Sequence, residues 1–254
     1  MAQFSIAHLY PDLMNLYGDR GNLICLQQRL QWYGHSCSLE NISLPDAMNL
    51  ARYDMVFMGG GSDREQGLVY QDLLGKGAQL LEHIEEGLPM LCICGAYQLL
   101  GMSYIAADGS TLDGLSFFNF RTVAGSPRLI GNVLLEADID DQTMSVVGFE
   151  NHGGRTIFGD PALMPFGRVI RGYGNNGEDG GEGLIYKNLI GTYLHGPLLP
   201  KNPAVADFFI SAMARRRGVD LGTPPDDAIE IFAHDQVKNR LLTPPRLRRV
   251  LTTV

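Results

Sequence analysis

The stretch LPMLCICGAYQLLG, residues 88–101, limits what this chain can fold into more than any other. Leu88 to Ile93 is a short apolar run after the turn residue Gly87 and has the length of a buried strand. Tyr97 to Leu100 then resumes with helical spacing. Cys94 and Gly95 stand on the junction. A strand that passes into a helix at a Cys-Gly pair presents the sulfur at its carboxyl end, where an open α/β sheet has its ligand crevice. The stretch therefore predicts a sheet with helices on its faces and a nucleophile at one strand end.

The flanking sequence repeats that rhythm. QFSIAHLY (3–10) reads as a first strand, and GNLICLQQRLQWYG (21–34) sets Leu23, Leu26, Leu30 and Tyr33 on one helical face before a Gly stop. CSLENISL is a second strand, and RYDMVFMGGGSD an apolar strand ending in three glycines. Arg64 to Glu86 reads as mostly helical, with Leu73, Leu80, Leu81 and Ile84 at core spacing. Past residue 115, SFFNFRTV, RLIGNVLLEA and MSVVGFEN are separate β-rich pieces that predict an antiparallel extension. RGYGNNGEDGGEG (171–183) reads as a turn or mobile loop between strands. AVADFFISAMARRR and DDAIEIFAHDQVKNRLL read as two closing helices. The predicted fold class is α/β: a mostly parallel central sheet flanked by helices, with an antiparallel extension, in one domain.

Charge and cysteine content narrow the function classes. A formal net charge of -8 disfavours nonspecific attraction to nucleic acid or an anionic membrane. The basic segment PPRLRRV, with Arg246, Arg248 and Arg249, lacks interleaved aromatics and reads as a solvated tail. No run approaches a membrane span, and MAQFSIAHLYPDLM lacks the basic and apolar segments of a signal peptide, so the expected location is cytoplasmic. Cys25, Cys37, Cys92 and Cys94 form no C-x-x-C pair, which predicts no disulfide framework and no metal site.

Three strand ends carry unusual residues: Gly59-Gly60-Gly61, Cys94-Gly95, and GTYLHGPLLPKNP with His195. A thiol that attacks an amide needs a base to generate thiolate, N–H groups to hold an oxyanion, and a tight turn to present the sulfur. Each need has a candidate here. Cys25, Cys37 and Cys92 read as small buried hydrophobes, Cys92 inside the strand that carries Cys94. His152, in GFENHGGR beside Glu150, is the rival base. His8, His35, His83 and His234 have ordinary contexts.

These residues resemble the class I, or triad, glutamine amidotransferases, whose fold is flavodoxin-like. MLCICGAYQLLG looks like their nucleophile elbow, FMGGGSDREQ like the oxyanion strand, and GTYLHGPLLPKNP like the histidine strand of the cobyric acid synthase type branch. Within that branch the pattern resembles the GatD group, small stand-alone glutaminase subunits. The resemblance runs from HLYPDLMNLYGDRGN through GFENHGGRT, over about residues 5–203, leaving about 204–254 for the closing helices of a single domain spanning 1–254.

The resemblance implies hydrolysis of L-glutamine to glutamate and ammonia through a thioester on Cys94, with His195 as acid and base. Gly60 or Gly61, with Gly95, would form the oxyanion hole. Arg128 would take the α-carboxylate, with Arg121 as runner-up, and Gln98 would line the pocket. Most members carry a Glu two residues after the histidine, where this chain has Pro197. The third catalytic group is therefore open: Glu150 from a neighbouring strand, or a carboxylate from a partner subunit. The chain has no G-x-x-x-x-G-K-[ST] segment, LLGKGAQ lacking the spacing, so an ATP- and Mg-dependent partner is expected to activate the acceptor. By resemblance that partner is a MurT-like ligase subunit in a heterodimer, acting on the D-glutamate of lipid II in peptidoglycan synthesis. The alternatives are a subunit serving another acceptor such as a cobyrinate, a noncatalytic glutamine-binding scaffold, and another Cys hydrolase such as a γ-glutamyl peptidase.

Overall fold

The structure is a computed structural model that describes residues 1–243, so the Arg246, Arg248 and Arg249 segment lies outside the described residues. The first half runs β1 (Gln3–Leu9), α1 (Gly21–Trp32), β2 (Ser36–Ile42), β3 (Met55–Met58), α2 (Asp63–Leu73), α3 (Gly77–Glu85), β4 (Met90–Ile93) and α4 (Gly95–Leu99). The second half runs β5 (Ser103–Ile105), β6 (Thr111–Asp113), β7 (Phe120–Ile139), β8 (Gln142–Phe158), β9 (Gly167–Arg171), β10 (Gly181–Glu182), β11 (Leu184–Tyr186), β12 (Leu189–Thr192), β13 (Leu194–His195), α5 (Pro203–Arg217) and α6 (Ala228–Leu242).

One sheet has the order β11-β12-β4-β3-β1-β2. All of its pairings are parallel except β11 with β12 at one edge. The alternation along its central strands builds two cores. Phe4, Ile6, Phe57, Leu91 and Ile93 face Leu23, Leu26 and Leu30 of α1 and Phe208 and Phe209 of α5. Ala7, Leu9, Val56, Met58, Met90 and Cys92 face Val69 and Leu73 of α2 and Leu80 and Ile84 of α3. Strands covered on both faces carry apolar residues at nearly every position, which is why MVFM and MLCI are continuous runs. The Arg64–Glu86 segment is two helices rather than one, divided around Gly75.

The antiparallel extension is mostly a second sheet built on the long hairpin of β7 and β8. SFFNFRTV and RLIGNVLLEA, which read as separate strands, contribute to the single strand β7, whose register slips between Ala124 and Leu129. That irregularity re-aims the strand and puts Arg128 on the bulge. The segment 171–183, expected as a turn or mobile loop, is tied down by its own polar groups. Asn175 Nδ2 donates to the Gly183 carbonyl at 3.0 Å, and its Oδ1 accepts from Gly183 N–H at 2.9 Å and from Tyr97 OH at 3.2 Å.

Both closing helices form where the sequence places them. Arg29 of α1 is buried and bonds Asp207 of α5 and Asp227 just before α6, each at 2.6 Å, so one guanidinium fastens three elements. Among the described residues no helix is long and apolar enough to cross a membrane.

Candidate active site

Four adjacent strands, β12, β4, β3 and β1, deliver four functional segments to one edge of the parallel sheet. β4 ends at Cys94, whose backbone sits at φ 52°, ψ -104°, a region that costs a non-glycine residue of order 1–3 kcal/mol. The turn is held by Cys94 N–H donating to the Thr192 carbonyl at 2.8 Å and by Gln98 N–H donating to the Cys94 carbonyl at 2.9 Å. Gly95 has no room for a side chain: a Cβ there would lie 3.0 Å from both the Gln66 amide and the Gly61 carbonyl. The glycine thus lets the elbow press against the end of β3.

β3 continues into Gly59-Gly60-Gly61. A Cβ on Gly60 would touch Cys94 Cβ and His195 Cε1, each at 3.4 Å, so this glycine lies between the cysteine and the histidine. β12 continues through Tyr193 and Leu194 to His195, which is buried. The imidazole packs edge-on to Tyr17, ring centroids 4.8 Å apart.

The group opposite the histidine is Asp19, supplied by the connection after β1. His195 Nδ1 donates to Asp19 Oδ1 at 3.1 Å, and Gly60 N–H donates to Asp19 Oδ2 at 3.1 Å. Asp19 is completely buried. Its loop is locked from several sides: Leu16 N–H donates to the Gly60 carbonyl at 3.0 Å, and Asn22 Nδ2 donates to the Asp19 carbonyl at 3.0 Å. Asn22 Oδ1 in turn accepts from Leu199 N–H at 2.8 Å, just past the histidine strand. Burial opposes charge on His195, but the hydrogen bond to Asp19, with the charges of Asp19 and Cys94, raises its pKa to about 10. An imidazolium between a carboxylate and a sulfur is the arrangement that stabilises a thiolate.

Above Cys94 is a cavity of about 470 Å³, lined among others by Gly61, Gln66, Gln98, Tyr104, Arg128 and His152. Gln98 and Arg128 both line it. Arg128 Nε donates to Asn151 Oδ1 at 3.1 Å and one terminal nitrogen to the Asn151 carbonyl at 2.8 Å, orienting the fork. Gln98 belongs to a polar chain: Gln66 Nε2 donates to Gln98 Oε1, and Gln98 Nε2 to Tyr193 OH, each at 3.2 Å. Arg121 lies elsewhere, against Ser103 and Phe120.

Two expectations need correcting on geometric grounds. Gly60 N–H is committed to Asp19, so of the three proposed oxyanion donors Gly61 and Gly95 are the ones left to face a substrate. Glu150 is not the partner of His195. Its carboxylate is fully buried and accepts from Tyr173 N–H at 2.8 Å and Gly174 N–H at 2.9 Å, anchoring the 171–183 segment. The rival base His152 is stacked on Tyr193 with centroids 3.7 Å apart, donates Nδ1–H to the Gly154 carbonyl at 2.8 Å, and lies 3.7 Å from Glu150.

Asp19 is the residue that sequence reasoning missed. Its signal lies in NLYGDRGN, an acid between two glycines after the first strand. Of the three cysteines read as buried hydrophobes, Cys92 is buried, whereas Cys25 and Cys37 are only partly buried. Burial pushes the Cys25 and Cys37 thiols up to about 12 and that of Cys92 higher still.

A CobB/CobQ-like glutamine amidotransferase domain model matches residues 5–203. The chain is 43% identical over 219 residues to the lipid II isoglutaminyl synthase (glutamine-hydrolyzing) subunit GatD of Staphylococcus aureus strain N315, covering 86% of this chain and 88% of that protein. It is 38% identical over 224 residues to the GatD subunit of Streptococcus pneumoniae R6, covering 87% and 85%. A solved structure of PurLQS from Thermotoga maritima shares the fold, with TM-score 0.59 and 14% identity over 85% of this chain and 100% of that one.

Proposed function

Since the chain belongs to the CobB/CobQ-like glutamine amidotransferase family, we propose that it is the glutamine-hydrolysing subunit of a lipid II isoglutaminyl synthase, working in the cytoplasm. The observation that carries the chemistry is the convergence of Cys94, His195, Asp19 and the Gly60-Gly61 turn from four neighbouring strand ends. The likeness to two GatD subunits over most of both chains carries the pathway.

In this reading the Cys94 sulfur, its proton held by His195, attacks the side-chain amide carbon of L-glutamine. Gly61 and Gly95 N–H groups receive the oxyanion. The C–N bond then breaks, the proton on His195 leaves with ammonia, and a glutamyl thioester remains on Cys94. A water molecule, deprotonated by His195, attacks the thioester and releases glutamate. Asp19 fixes the imidazole tautomer and supports its charge, the part that an orienting carboxylate plays in a triad.

Ammonia alone does not displace hydroxide from a carboxylate, so the acceptor must be activated elsewhere. We assign that step to a MurT-like ligase subunit in a heterodimer with this chain, using ATP and Mg. The joint product is amidation of the D-glutamate α-carboxylate of lipid II to D-isoglutamine. The whole chain, 1–254, acts as one glutamine amidotransferase domain.

The test is ammonia release from L-glutamine by the purified chain, alone and with its ligase partner, beside Cys94→Ala versions of both. Release that requires Cys94 supports the glutaminase. No release in either mixture overturns it in favour of a glutamine-binding scaffold, and release coupled to a different acceptor overturns the lipid II assignment.

A further inference from the structure

The chain changes sheets as it approaches His195. β12 pairs with β4 as far as Thr192, inside the parallel sheet, and β13 pairs with β8 from Leu194 onward, in the second sheet. At that crossing the backbone takes side-chain acceptors. Tyr193 N–H donates to Glu182 Oε1 at 2.7 Å, and Leu194 N–H donates to Thr192 Oγ1 at 3.0 Å. The Thr192 hydroxyl itself donates to Glu182, 2.9 Å from Oε1 and 3.0 Å from Oε2. One carboxylate thus fixes, directly or through Thr192, the three residues that precede His195.

The same crossing holds the cysteine elbow. The Thr192 carbonyl accepts from Cys94 N–H at 2.8 Å, so Thr192 is tied to Cys94 by its backbone and to Glu182 by its side chain. Glu182 reaches this point from β10, in the second sheet, and is fully buried. It does not line the cavity above Cys94. Burying a carboxyl group costs more than burying an apolar side chain, and its return here is reach: one side chain spans from β10 to two successive residues of the crossing.

We propose that Glu182 is a positioning residue for the hydrolysis. It sets where His195 emerges from the crossing relative to the Cys94 elbow, acting through Thr192 and Tyr193 and touching no substrate. The inference rests on the glutaminase reading above. Under it, the length of the side chain and its acceptor oxygens matter more than its charge. Glu182→Asp withdraws the carboxylate by one methylene, so it cannot hold Thr192 and Tyr193 together. Glu182→Gln keeps the length and an acceptor for Tyr193 N–H. Thr192→Val removes the hydroxyl but keeps the side-chain shape and the carbonyl that holds Cys94.

The experiment measures kcat and KM for ammonia release from L-glutamine by the chain with its ligase partner, as wild type and as each of these three variants. Alkylation of Cys94 by iodoacetamide at pH 6 is followed by mass spectrometry on the same samples, and urea unfolding gives the folded fraction that normalises both. Glu182→Asp is expected to lower kcat by about 10- to 100-fold, the effect of misplacing a reacting group by about 1 Å, while KM changes by less than about threefold. Thr192→Val should show the same loss in kcat, and it carries the test should Glu182→Asp fail to fold. Glu182→Gln should recover most of the loss. Alkylation should slow in Glu182→Asp and Thr192→Val and be retained in Glu182→Gln, because thiolate at pH 6 depends on an imidazolium beside the sulfur. Unchanged kcat and alkylation per folded molecule would mean that Glu182 only stabilises the fold, and that overturns the proposal. A loss confined to KM, or a Glu182→Gln variant as impaired as Glu182→Asp, overturns it too. If the wild type releases no ammonia from L-glutamine, the glutaminase reading falls, and the alkylation rates still decide whether Glu182 positions His195 against Cys94.

Discussion

One carboxylate, Asp19, bonds His195 Nδ1 through one oxygen and Gly60 N–H through the other, each at 3.1 Å. The residue that orients the His195 imidazole therefore also fixes the glycine strand beside Cys94. A displacement of the Asp19 loop would disturb the His195 imidazole and the Gly60-Gly61 turn together.

Asp19→Asn is expected to lower kcat/KM for L-glutamine by about 10²- to 10⁴-fold, because an amide can present its NH₂ group to Nδ1 and favour the wrong tautomer. The pH profile should change as well. His195 is raised to about 10 despite burial, through Asp19 and Cys94, so removing the Asp19 charge lowers that pKa. The alkaline limb of the rate of Cys94 alkylation, followed by mass spectrometry from pH 6 to 11, should shift to lower pH in Asp19→Asn. An unmoved limb would show that Asp19 does not support the charged base.

Cys94 occupies left-handed backbone at φ 52°. Cys94→Ala removes the sulfur but keeps a Cβ in that conformation, whereas Cys94→Gly removes both. Both variants should be inactive, and Cys94→Gly should be the more stable of the two by about 1 kcal/mol, after allowance for the added freedom of its unfolded chain. Urea unfolding of the pair measures the difference. Equal stabilities would mean that the elbow is not strained.

Arg29 is buried between Asp207 and Asp227. Arg29→Met would leave two carboxylates facing each other without a cation, and a destabilisation of about 3–5 kcal/mol is expected in urea unfolding. Double substitution with Asp207→Asn should recover part of that loss, since one of the stranded charges is gone. Additive losses would argue against direct coupling.

How much of this was legible follows from the range over which each feature is encoded. The Cys94 elbow and the Gly59-Gly60-Gly61 turn are local: an apolar run followed at once by its punctuation. His195 likewise follows its own strand, and its neighbours Gly196 and Pro197 mark the turn. Asp19 was hidden because it lies ten positions past the end of β1, and only the strand order, with β1 beside β3, brings it under His195. Glu150 misled for the converse reason. It sits on a strand paired with the histidine strand, Leu194 opposite Glu150, yet its carboxylate is drawn to the N–H groups of Tyr173 and Gly174. Pairing register placed the backbone near the site, and hydrogen bonds that no pattern in 171–183 announces turned the side chain away.

Glu182 supplies a test of stability against pH. It is fully buried, accepts from Tyr193 N–H at 2.7 Å and from Thr192 Oγ1 at 2.9 Å, and so holds the segment that leads to His195. Burial raises its carboxyl pKa from the ordinary 4.5 to about 8, against the opposing pull of these hydrogen bonds and of His195. Between pH 4.5 and 8 the folded chain therefore keeps a proton that the unfolded chain has lost. Stability contributed by this group must fall as pH rises through that window, by up to about 1.4 kcal/mol per pH unit, and level off above the folded pKa. Glu182→Gln keeps an acceptor oxygen for Tyr193 N–H but cannot titrate. Subtracting its urea-unfolding free energies from those of the wild type at pH 5, 6, 7 and 8 should give a difference that declines steadily with pH. A flat difference would mean that Glu182 is already ionised in the folded chain, with the hydrogen bonds of Thr192 and Tyr193 outweighing its burial.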